Sequence, residues 1–264
     1  MTQQELPNHT DPLFQIAEKL SADFSLFPEY EDNAVDHKVK GLIAPEQCII
    51  ELEKLRKLNI DDYIQSVVAP SESTQRTDAK SIVQHLVVRI ISEVEDGPLY
   101  CAEADLDFGG QIRRVGFICQ NRSSANGAWG PTHHNRAAQQ ARNYASRAMP
   151  IVTFIDTPGA DAGEQANASN QAHSISHLIT EMVNNDVPTL GIIWGAGYSG
   201  GAIPLAATNI LLSVRDGIFN TIQPQGLASI ARKYNLSWQE CAKYVGVSGY
   251  QLRESGVIDG IIDY

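Results

Sequence analysis

The 264-residue chain lacks several features that would each define a class of protein. It has no run of about eighteen apolar residues, the length that a membrane-spanning helix needs. Its first residues, MTQQELPNHTDPLF, have neither the basic start nor the apolar stretch of a secretory signal. The only cysteines, Cys48, Cys101, Cys119 and Cys241, lie too far apart for a CxxC pair or a small disulfide scaffold. We therefore expect a soluble, cytoplasmic protein with no membrane partner.

Positive charge is also scarce. The chain has 20 Lys and Arg against 31 Asp and Glu, which gives a formal net charge of −11. Without a cluster of basic residues it cannot neutralise a phosphate backbone, so nucleic acid is excluded as a partner. Its 43% hydrophobic content, with 20 Gly and 12 Pro, predicts a globular fold rather than a disordered or low-complexity chain.

The first part of the sequence reads as a helical appendage. PLFQIAEKLSADF (12–24) and PEQCIIELEKLRKL (45–58) place apolar residues at helical spacing. APSESTQRTD (69–78) is polar with an early proline, which favours a linker. We predict a helical N-terminal arm and linker over residues 1–77 and one larger domain over residues 78–264.

The larger domain alternates strands and helices. Residues 78–93 predict a helix, although their β-branched content also permits a strand. LYCAEADLDF and IRRVGFICQ read as two strands joined by a tight glycine turn. Later segments alternate helices (135–148, 171–185, and from 226 onward) with apolar strands (151–155, 189–194, 209–214, 219–223). This pattern predicts an α/β fold with a sheet that is buried on both faces.

IIWGAGYSGGA, residues 192–202, places a glycine-rich turn between an apolar strand and a possible helix. Gly197–Gly201 spells GxSxG, the nucleophile elbow of α/β-hydrolases, in which the catalytic histidine follows the serine. Every histidine here precedes Ser199, at positions 9, 37, 85, 133, 134, 173 and 177. A serine hydrolase is therefore disfavoured, although triads in other chain orders exist.

The same turn does not match a phosphate-binding loop. Ala202 and Ile203 follow Gly201 where a Walker loop needs lysine and then serine or threonine. The remaining interpretation is that the turn presents unpaired amides at the start of a helix, and such amides can bind an oxyanion. The alternative is that the glycines only let a helix pack closely on the sheet.

A second glycine turn, DTPGADAG (156–163), follows the preceding apolar strand. The carboxyl ends of parallel strands lie on one edge of a sheet, where open α/β folds bind their ligands. We therefore expect the two turns to face each other and to donate two amides to one oxygen.

These motifs together resemble a known family. PIVTFIDTPGADAG, GAGYSGGAIPLA and IQPQGLASI resemble the α subunits of bacterial acetyl-CoA carboxylase carboxyltransferase, members of the crotonase-like superfamily, over about residues 137–263. The resemblance implies a ClpP/crotonase fold of repeated ββα units with a helical N-terminal appendage. It also implies transfer of a carboxyl group between carboxybiotin and an acyl-CoA, of the acetyl-CoA to malonyl-CoA type, in fatty acid biosynthesis.

The resemblance also implies partners. A β-type subunit would hold the thioester oxygen of the acyl-CoA, and a biotin carboxyl carrier protein would bring the biotin cofactor. The assembly would be a homo-oligomer or an α2β2-type complex, and this chain would hold no metal. Two other functions stay open: a biotin-independent crotonase-like acyl-thioester decarboxylase, and a catalytically silent carboxyltransferase-like partner protein.

Site residues follow from the family motifs by position. The oxyanion donors would be Gly200 and Gly201, faced by the turn at Gly159 and Ala160. The supporting residues for substrate or biotin binding would be Asp156, Gly197, Tyr198, Ser199, Gln225 and Gly226. Where the family usually has Pro-Glu-Gly, this chain has Pro-Gln-Gly, so an amide replaces a carboxylate at residue 225.

Other polar residues are weaker candidates. His133 and His134 are interpreted as polar loop residues, and His173 with His177 as an i, i+4 pair that lacks a third metal ligand. Four arginines could meet a CoA phosphate, but solvated surface is the favoured interpretation for them: Arg113, Arg114, Arg122 and Arg136.

Overall fold

The computed structural model describes residues 41–73 and 75–263, and at Asn126 the backbone alone. The helix predicted within residues 12–24 lies outside this range. The division of the chain after residue 77 stays a prediction. Within the described residues, no helix combines the length and the apolar character needed to cross a membrane.

The described residues form an eight-stranded mixed sheet. Its strands are β1 (Arg89–Asp96), β2 (Leu99–Phe108), β3 (Gln111–Gln120), β4 (Ile151–Thr157), β5 (Thr189–Tyr198), β6 (Ile210–Val214), β7 (Ile218–Asn220) and β8 (Gly260–Ile262). The order is β1-β2-β3-β4-β5-β6-β8, and β7 pairs with the end of β5. The first three strands are antiparallel, whereas β3, β4, β5 and β6 run parallel. The predicted hairpin of β2 and β3 is confirmed.

Helices connect and cover these strands. They are α1 (Pro45–Lys57), α2 (Ile60–Tyr63), α3 (Ala69–Ser71), α4 (Ala79–Leu86), α5 (Pro131–Ser146), α6 (Glu164–Ala168), α7 (Gln171–Val183), α8 (Ser199–Ala206), α9 (Pro224–Ile230), α10 (Trp238–Val245) and α11 (Gly249–Glu254). A π-helical turn, Ile64–Val68, joins α2 to α3. The helices predicted over residues 45–58, 135–148 and 171–185 are confirmed within a few residues.

The helix predicted over residues 78–93 is wrong in its second half. The helix α4 starts where the Asp78 side chain accepts a hydrogen bond from the amide of Ser81 at 2.8 Å, and it ends at Leu86. Extended backbone follows at Val87, and β1 then pairs with β2. The β-branched residues of this stretch suit the sheet edge, so tertiary pairing overrides the local helical pattern.

Both faces of the sheet are buried around its central parallel strands, as predicted, whereas β1 at the edge is largely exposed. Alternate residues of β3 and β4 point to opposite sides, as for Ile118 and Phe117. One face packs against α5, α7 and α8, and the other packs against α4, α2 and α10. Each fully buried aliphatic side chain contributes roughly 1.5–3 kcal/mol to the core. This two-sided core holds the strand ends rigidly where the glycine turns begin.

Candidate active site at the carboxyl edge of the sheet

Three parallel strands, β3, β4 and β5, end on the same edge of the sheet. β4 runs into the turn after Thr157, and β5 runs into α8 at Ser199. The expectation that the two glycine turns meet at one edge is therefore confirmed. The roles assigned to their residues stay predictions.

The two turns are in direct backbone contact. A Cβ atom placed on Gly201 would lie 2.4 Å from the carbonyl carbon of Gly159 and 2.5 Å from the nitrogen of Ala160. No side chain fits at that point, so Gly201 is a packing position whatever its amide does. Gly159 has φ of +132°, a conformation that favours glycine. A Cβ there would meet its nearest neighbour, the carbonyl oxygen of Tyr198, at 3.7 Å, an ordinary contact distance, so the positive φ and not a clash favours glycine.

The start of α8 is strained and polar. Ser199 has φ of +55°, a left-handed conformation that is uncommon outside glycine. The first amides of a helix have no acceptor within it, and the described residue before this helix, Tyr198, does not cap it through its side chain. The positive end of the helix dipole and the amides at Gly200 and Gly201 thus lie at the sheet edge. Such strain is typical of functional turns.

The turn after β4 is held by the segment that precedes α5. Ala160 forms a parallel bridge with Trp129, whose carbonyl also accepts the amide of Asp161 at 2.9 Å. Thr157 Oγ1 lies 2.7 Å from the carbonyl oxygen of Gly127 and accepts the amide of Gly159 at 3.1 Å. These bonds fix the wall that faces α8.

Gln120, at the end of β3, ties both turns together. This fully buried side chain donates from Nε2 to the carbonyl oxygen of Gly201 at 2.6 Å. Its Oε1 accepts the amide of Asp156 at 3.2 Å. Sequence reasoning missed this residue, although its place at the end of a third parallel strand could have indicated it.

Asp156 supports β5 rather than its own turn. Between β4 and β5 the register shifts from Ile155 opposite Ile193 to Thr157 opposite Gly197, so three residues of β5 bulge around Asp156. Its Oδ1 accepts the amide of Ala196 at 3.2 Å.

The bulge leaves room for the carboxylate only because its middle residue is glycine. A Cβ on Gly195 would lie 2.4 Å from Oδ1 of Asp156. Any side chain at position 195 would therefore displace the carboxylate from the bulge.

The carboxyl group of Asp156 is buried beside two arginines. Burial raises its pKa from 3.8 to about 6, while the positive charges of Arg122 and Arg76 act in the opposite direction. Arg122 Nη1 lies 3.5 Å from Oδ1, and the Arg122 side chain is 17% exposed. The interpretation of Arg122 as solvated surface is therefore wrong. The loop after β3 turns this residue inward, toward the carboxylate.

Arg76 reaches β5 from the segment predicted to be a linker. Its Nη1 donates to the carbonyl oxygen of Trp194 at 2.8 Å, and its Nη2 binds Asp216. The Trp194 indole lies beneath the guanidinium and donates to the carbonyl oxygen of Thr77 at 2.8 Å. Nothing in the polar composition of residues 69–78 signalled these contacts.

Gly197 and Tyr198 form the last residues of β5. Gly197 lies between β4 and β7, where a Cβ would approach Phe219 to 2.8 Å and Ile155 to 2.9 Å. Tyr198 is buried, and both burial and the negative charge of Glu72 raise the pKa of its hydroxyl. This packing leaves little freedom to the backbone that enters α8.

The Pro-Gln-Gly motif lies at the start of α9. Gln225 is exposed on the first helical turn, and Gly226 packs near Ile222. It is Gln223, two residues earlier, whose Nε2 donates to the carbonyl oxygen of Pro158. The contact between α9 and the turn after β4 thus comes from a residue that the sequence analysis did not single out.

The histidines of the described residues lie in different settings. His133 and His134 are in the first turn of α5, so their interpretation as loop residues is wrong. His134 is fully buried, and burial lowers its pKa to about 4. His177, on α7, contacts Arg142 and Glu181. In the part of the chain that the structure describes, no three His, Cys, Asp or Glu side chains group as metal ligands do.

The raised pKa of Asp156 predicts how stability depends on pH. A carboxyl group whose pKa rises from 3.8 to about 6 on folding stabilises the fold below about pH 4, and this contribution is lost as pH rises through about 6. The Asp156→Asn side chain is neutral at every pH. Above pH 7 we therefore expect its free energy of unfolding to exceed that of the unmodified chain by about 3 kcal/mol, and its urea midpoint to be higher. Unfolding in urea from pH 4 to pH 8 measures the difference.

The exposed Asp259, which accepts the amide of Leu211 at 2.8 Å, offers a matched control. Its replacement by asparagine should not reproduce the pH-dependent gain. If Asp156→Asn is the less stable protein at pH 7.5, attraction to Arg122 outweighs burial and the predicted sign is wrong.

Comparison with known proteins assigns this arrangement to a family. The family model described as acetyl co-enzyme A carboxylase carboxyltransferase-like matches residues 119–264. An acetyl-coenzyme A carboxylase carboxyl transferase subunit alpha 1 from Burkholderia thailandensis is 29% identical over 83% of this chain and 80% of its own length. A subunit alpha from Carboxydothermus hydrogenoformans is 35% identical over 50% of this chain, and the match spans 41% of that relative.

Solved structures share the fold. The crystal structure of transcarboxylase 12S with hydrolysed methylmalonyl-coenzyme A bound has a TM-score of 0.65 and 17% identity, over 78% of this chain and 42% of that one. The fold is therefore crotonase-like, as the sequence motifs implied.

Proposed function

The chain belongs to the acetyl co-enzyme A carboxylase carboxyltransferase-like family, and from this premise we propose that it is an α-type subunit that transfers a carboxyl group between carboxybiotin and an acyl-CoA. The observation that carries the proposal is the uncapped start of α8 against the turn after β4. In this proposal Gly200 and Gly201 donate amides to an oxygen that gains negative charge during transfer. Acetyl-CoA and malonyl-CoA are the expected pair of acyl thioesters.

The shape beside these turns fits a flat polar ring that carries an oxygen. A Cβ on Gly159 would meet nothing closer than 3.7 Å, and one on Gly200 would meet only the end of Ile175, at 3.0 Å. The surface there is backbone bordered by the side chain of Ile175. A ureido ring could approach such a surface closely enough to accept two amide hydrogen bonds.

The reaction needs charge stabilisation more than a side-chain base. Biotin, held at the amides of Gly200 and Gly201, would supply a ring nitrogen that carries the carboxyl group to the α-carbon of the thioester and takes up the α-proton in exchange. The amides and dipole of α8 stabilise the charge on the ureido oxygen better in the transition state than before it. Ser199 sets their direction through its left-handed backbone. One such donor is worth roughly 3 kcal/mol.

The proposal requires partners. A β-type subunit would hold the thioester oxygen with its own glycine turn, and a biotin carrier protein would deliver the cofactor. Gly159 and Ala160 form the facing wall, while Asp156, Gly197 and Tyr198 support the strand that enters α8. Gln225 and Gly226, on the first turn of α9, would lie at the border with bound biotin or the partner. A cytoplasmic location and an α2β2-type or homo-oligomeric assembly are part of the same proposal.

We expect carboxyl transfer to need the second subunit. The tagged full chain should be recovered from its own cells, with its associated proteins, and assayed for transfer of labelled carboxyl from malonyl-CoA to biotin. The proposal predicts transfer by the complex and none by the chain alone or the partner alone. Release of CO₂ from malonyl-CoA by the isolated chain would favour the decarboxylase instead. A stable complex that performs neither reaction would indicate a silent partner protein.

A further inference from the structure

The bulge of β5 binds two charged side chains from opposite parts of the chain. Arg76, before α4, donates to the carbonyl oxygen of Trp194 at 2.8 Å. Asp156, in β4, accepts the amide of Ala196 at 3.2 Å. The bulge residue between these two backbone groups is Gly195. A buried backbone group without a partner is costly, so each charged side chain stabilises this irregular path of β5.

We propose that Arg76 and Asp156 are positioning residues for the proposed carboxyl transfer: they fix β5 at its bulge and thereby aim the amides at the start of α8. The inference rests on the proposed function. It assigns a role to Arg76, which lies outside residues 119–264, the stretch that the family model matches. Neither residue touches substrate in this proposal. They act through the backbone that enters the helix.

The connection from the bulge to the helix is short and tightly packed. Three residues, 197–199, separate Ala196 from Gly200. Gly197 has no room for a Cβ between Phe219 and Ile155, and Tyr198 is buried. The backbone of Ser199 is already strained. A shift at the bulge therefore passes to the amide of Gly200 rather than being absorbed on the way.

Charged groups surround Asp156 from three elements. Arg122, on the loop after β3, lies 3.5 Å from Oδ1, and Arg76 is bound to Asp216 on the turn after β6. Tyr198 lies on β5 and faces Glu72. Protonation of the carboxyl group, whose pKa burial raises to about 6, weakens its bond to Ala196. Transfer should therefore decline as pH falls through about 6.

The test measures the kinetics of carboxyl transfer by the assembled complex for variants of Asp156 and Arg76. For Asp156→Asn, which keeps the side-chain shape, we expect kcat to fall about 10- to 100-fold with little change in KM, and the decline near pH 6 to disappear. For Arg76→Met we expect a similar loss, partly restored in Arg76→Lys, whose amine can still donate to Trp194. The control variants, Asp259→Asn and Arg142→Met, should behave as the unmodified complex does. Unchanged kcat and an unchanged pH profile in Asp156→Asn would overturn the inference.

A second measurement separates this inference from the proposed function. Amide hydrogen exchange over residues 194–201, read by mass spectrometry on the full chain, does not need catalysis. We expect at least about tenfold faster exchange in Arg76→Met, which removes the donor to Trp194, and in Asp156→Ala, which removes the acceptor of the Ala196 amide, than in the two controls. If the unmodified complex transfers no carboxyl group, the proposed function fails while exchange still decides the positioning role. Exchange equal to that of the controls would overturn that role even if the complex is active.

Discussion

Replacing Gly200 with proline should lower the rate of carboxyl transfer about 100- to 1000-fold, because proline has no amide hydrogen to donate. Gly200 is the second residue of α8, and proline is tolerated in the first turn of a helix. The substitution therefore removes one proposed oxyanion donor while the helix remains. Steady-state rates of the assembled complex, with the circular dichroism spectrum of each variant, measure the effect.

Alanine at the same position is the matched control. It keeps the amide, and its Cβ would lie 3.0 Å from Cδ1 of Ile175, the far end of a flexible side chain that can move aside. We expect Gly200→Ala to retain most of the rate. If proline and alanine lower the rate equally, the space at Gly200 matters and its amide does not. If proline leaves the rate unchanged, the amide of Gly200 is not an oxyanion donor.

The positions of the two glycine turns could be predicted, because the sequence patterns that specify them are local. The apolar runs before Asp156 and Ser199 specify buried parallel strands, and the glycines after each run specify turns. Parallel strands with connecting helices then bring both turns to one edge of the sheet. Nothing beyond pattern and connectivity is needed for this step.

The contacts that Arg76 and Asp156 make with β5 could not be predicted in the same way. The bulge opposite Asp156 arises from how β4 and β5 pair, and Gly195, one of three glycines in β5, does not locate it by itself. Once the bulge exists, its backbone groups attract Arg76 and Asp156. A polar segment such as 69–78 reads as a solvated linker, because sequence does not reveal which polar residues meet buried backbone groups. The contact of Arg122 was easier to predict, since this residue lies two positions after the end of a third parallel strand.

The candidate site brings charges of both signs together in a chain that is acidic overall. The chain carries a formal charge of −11, which repels an anionic acyl-CoA. At the sheet edge, Arg76 and Arg122 lie within reach of Asp156, and the dipole of α8 adds partial positive charge. Keeping Asp156 ionised there destabilises the fold at neutral pH. A buried group retained against stability is typical of a functional site.

The substitution Gly201→Ala should destabilise the fold strongly, although it lies one residue from the tolerant Gly200. The new Cβ would lie 2.4 Å from the carbonyl carbon of Gly159 and 2.5 Å from the nitrogen of Ala160. Both are backbone atoms of a turn that Thr157 and Trp129 hold in place, so neither can move aside cheaply. We expect a loss of about 3 kcal/mol in the free energy of unfolding, which lowers Tm by roughly 6–12 °C for a domain of this size.

The comparison of Gly201→Ala with Gly200→Ala isolates backbone contact from helix propensity, since alanine favours the helix by about 1 kcal/mol at both positions. Urea and thermal unfolding of the two variants give the difference directly. If Gly201→Ala is as stable as Gly200→Ala, the turn after β4 does not touch α8 in solution. The two glycine turns could not then face one oxygen, and a site built on amides from both sides would lose its geometric basis.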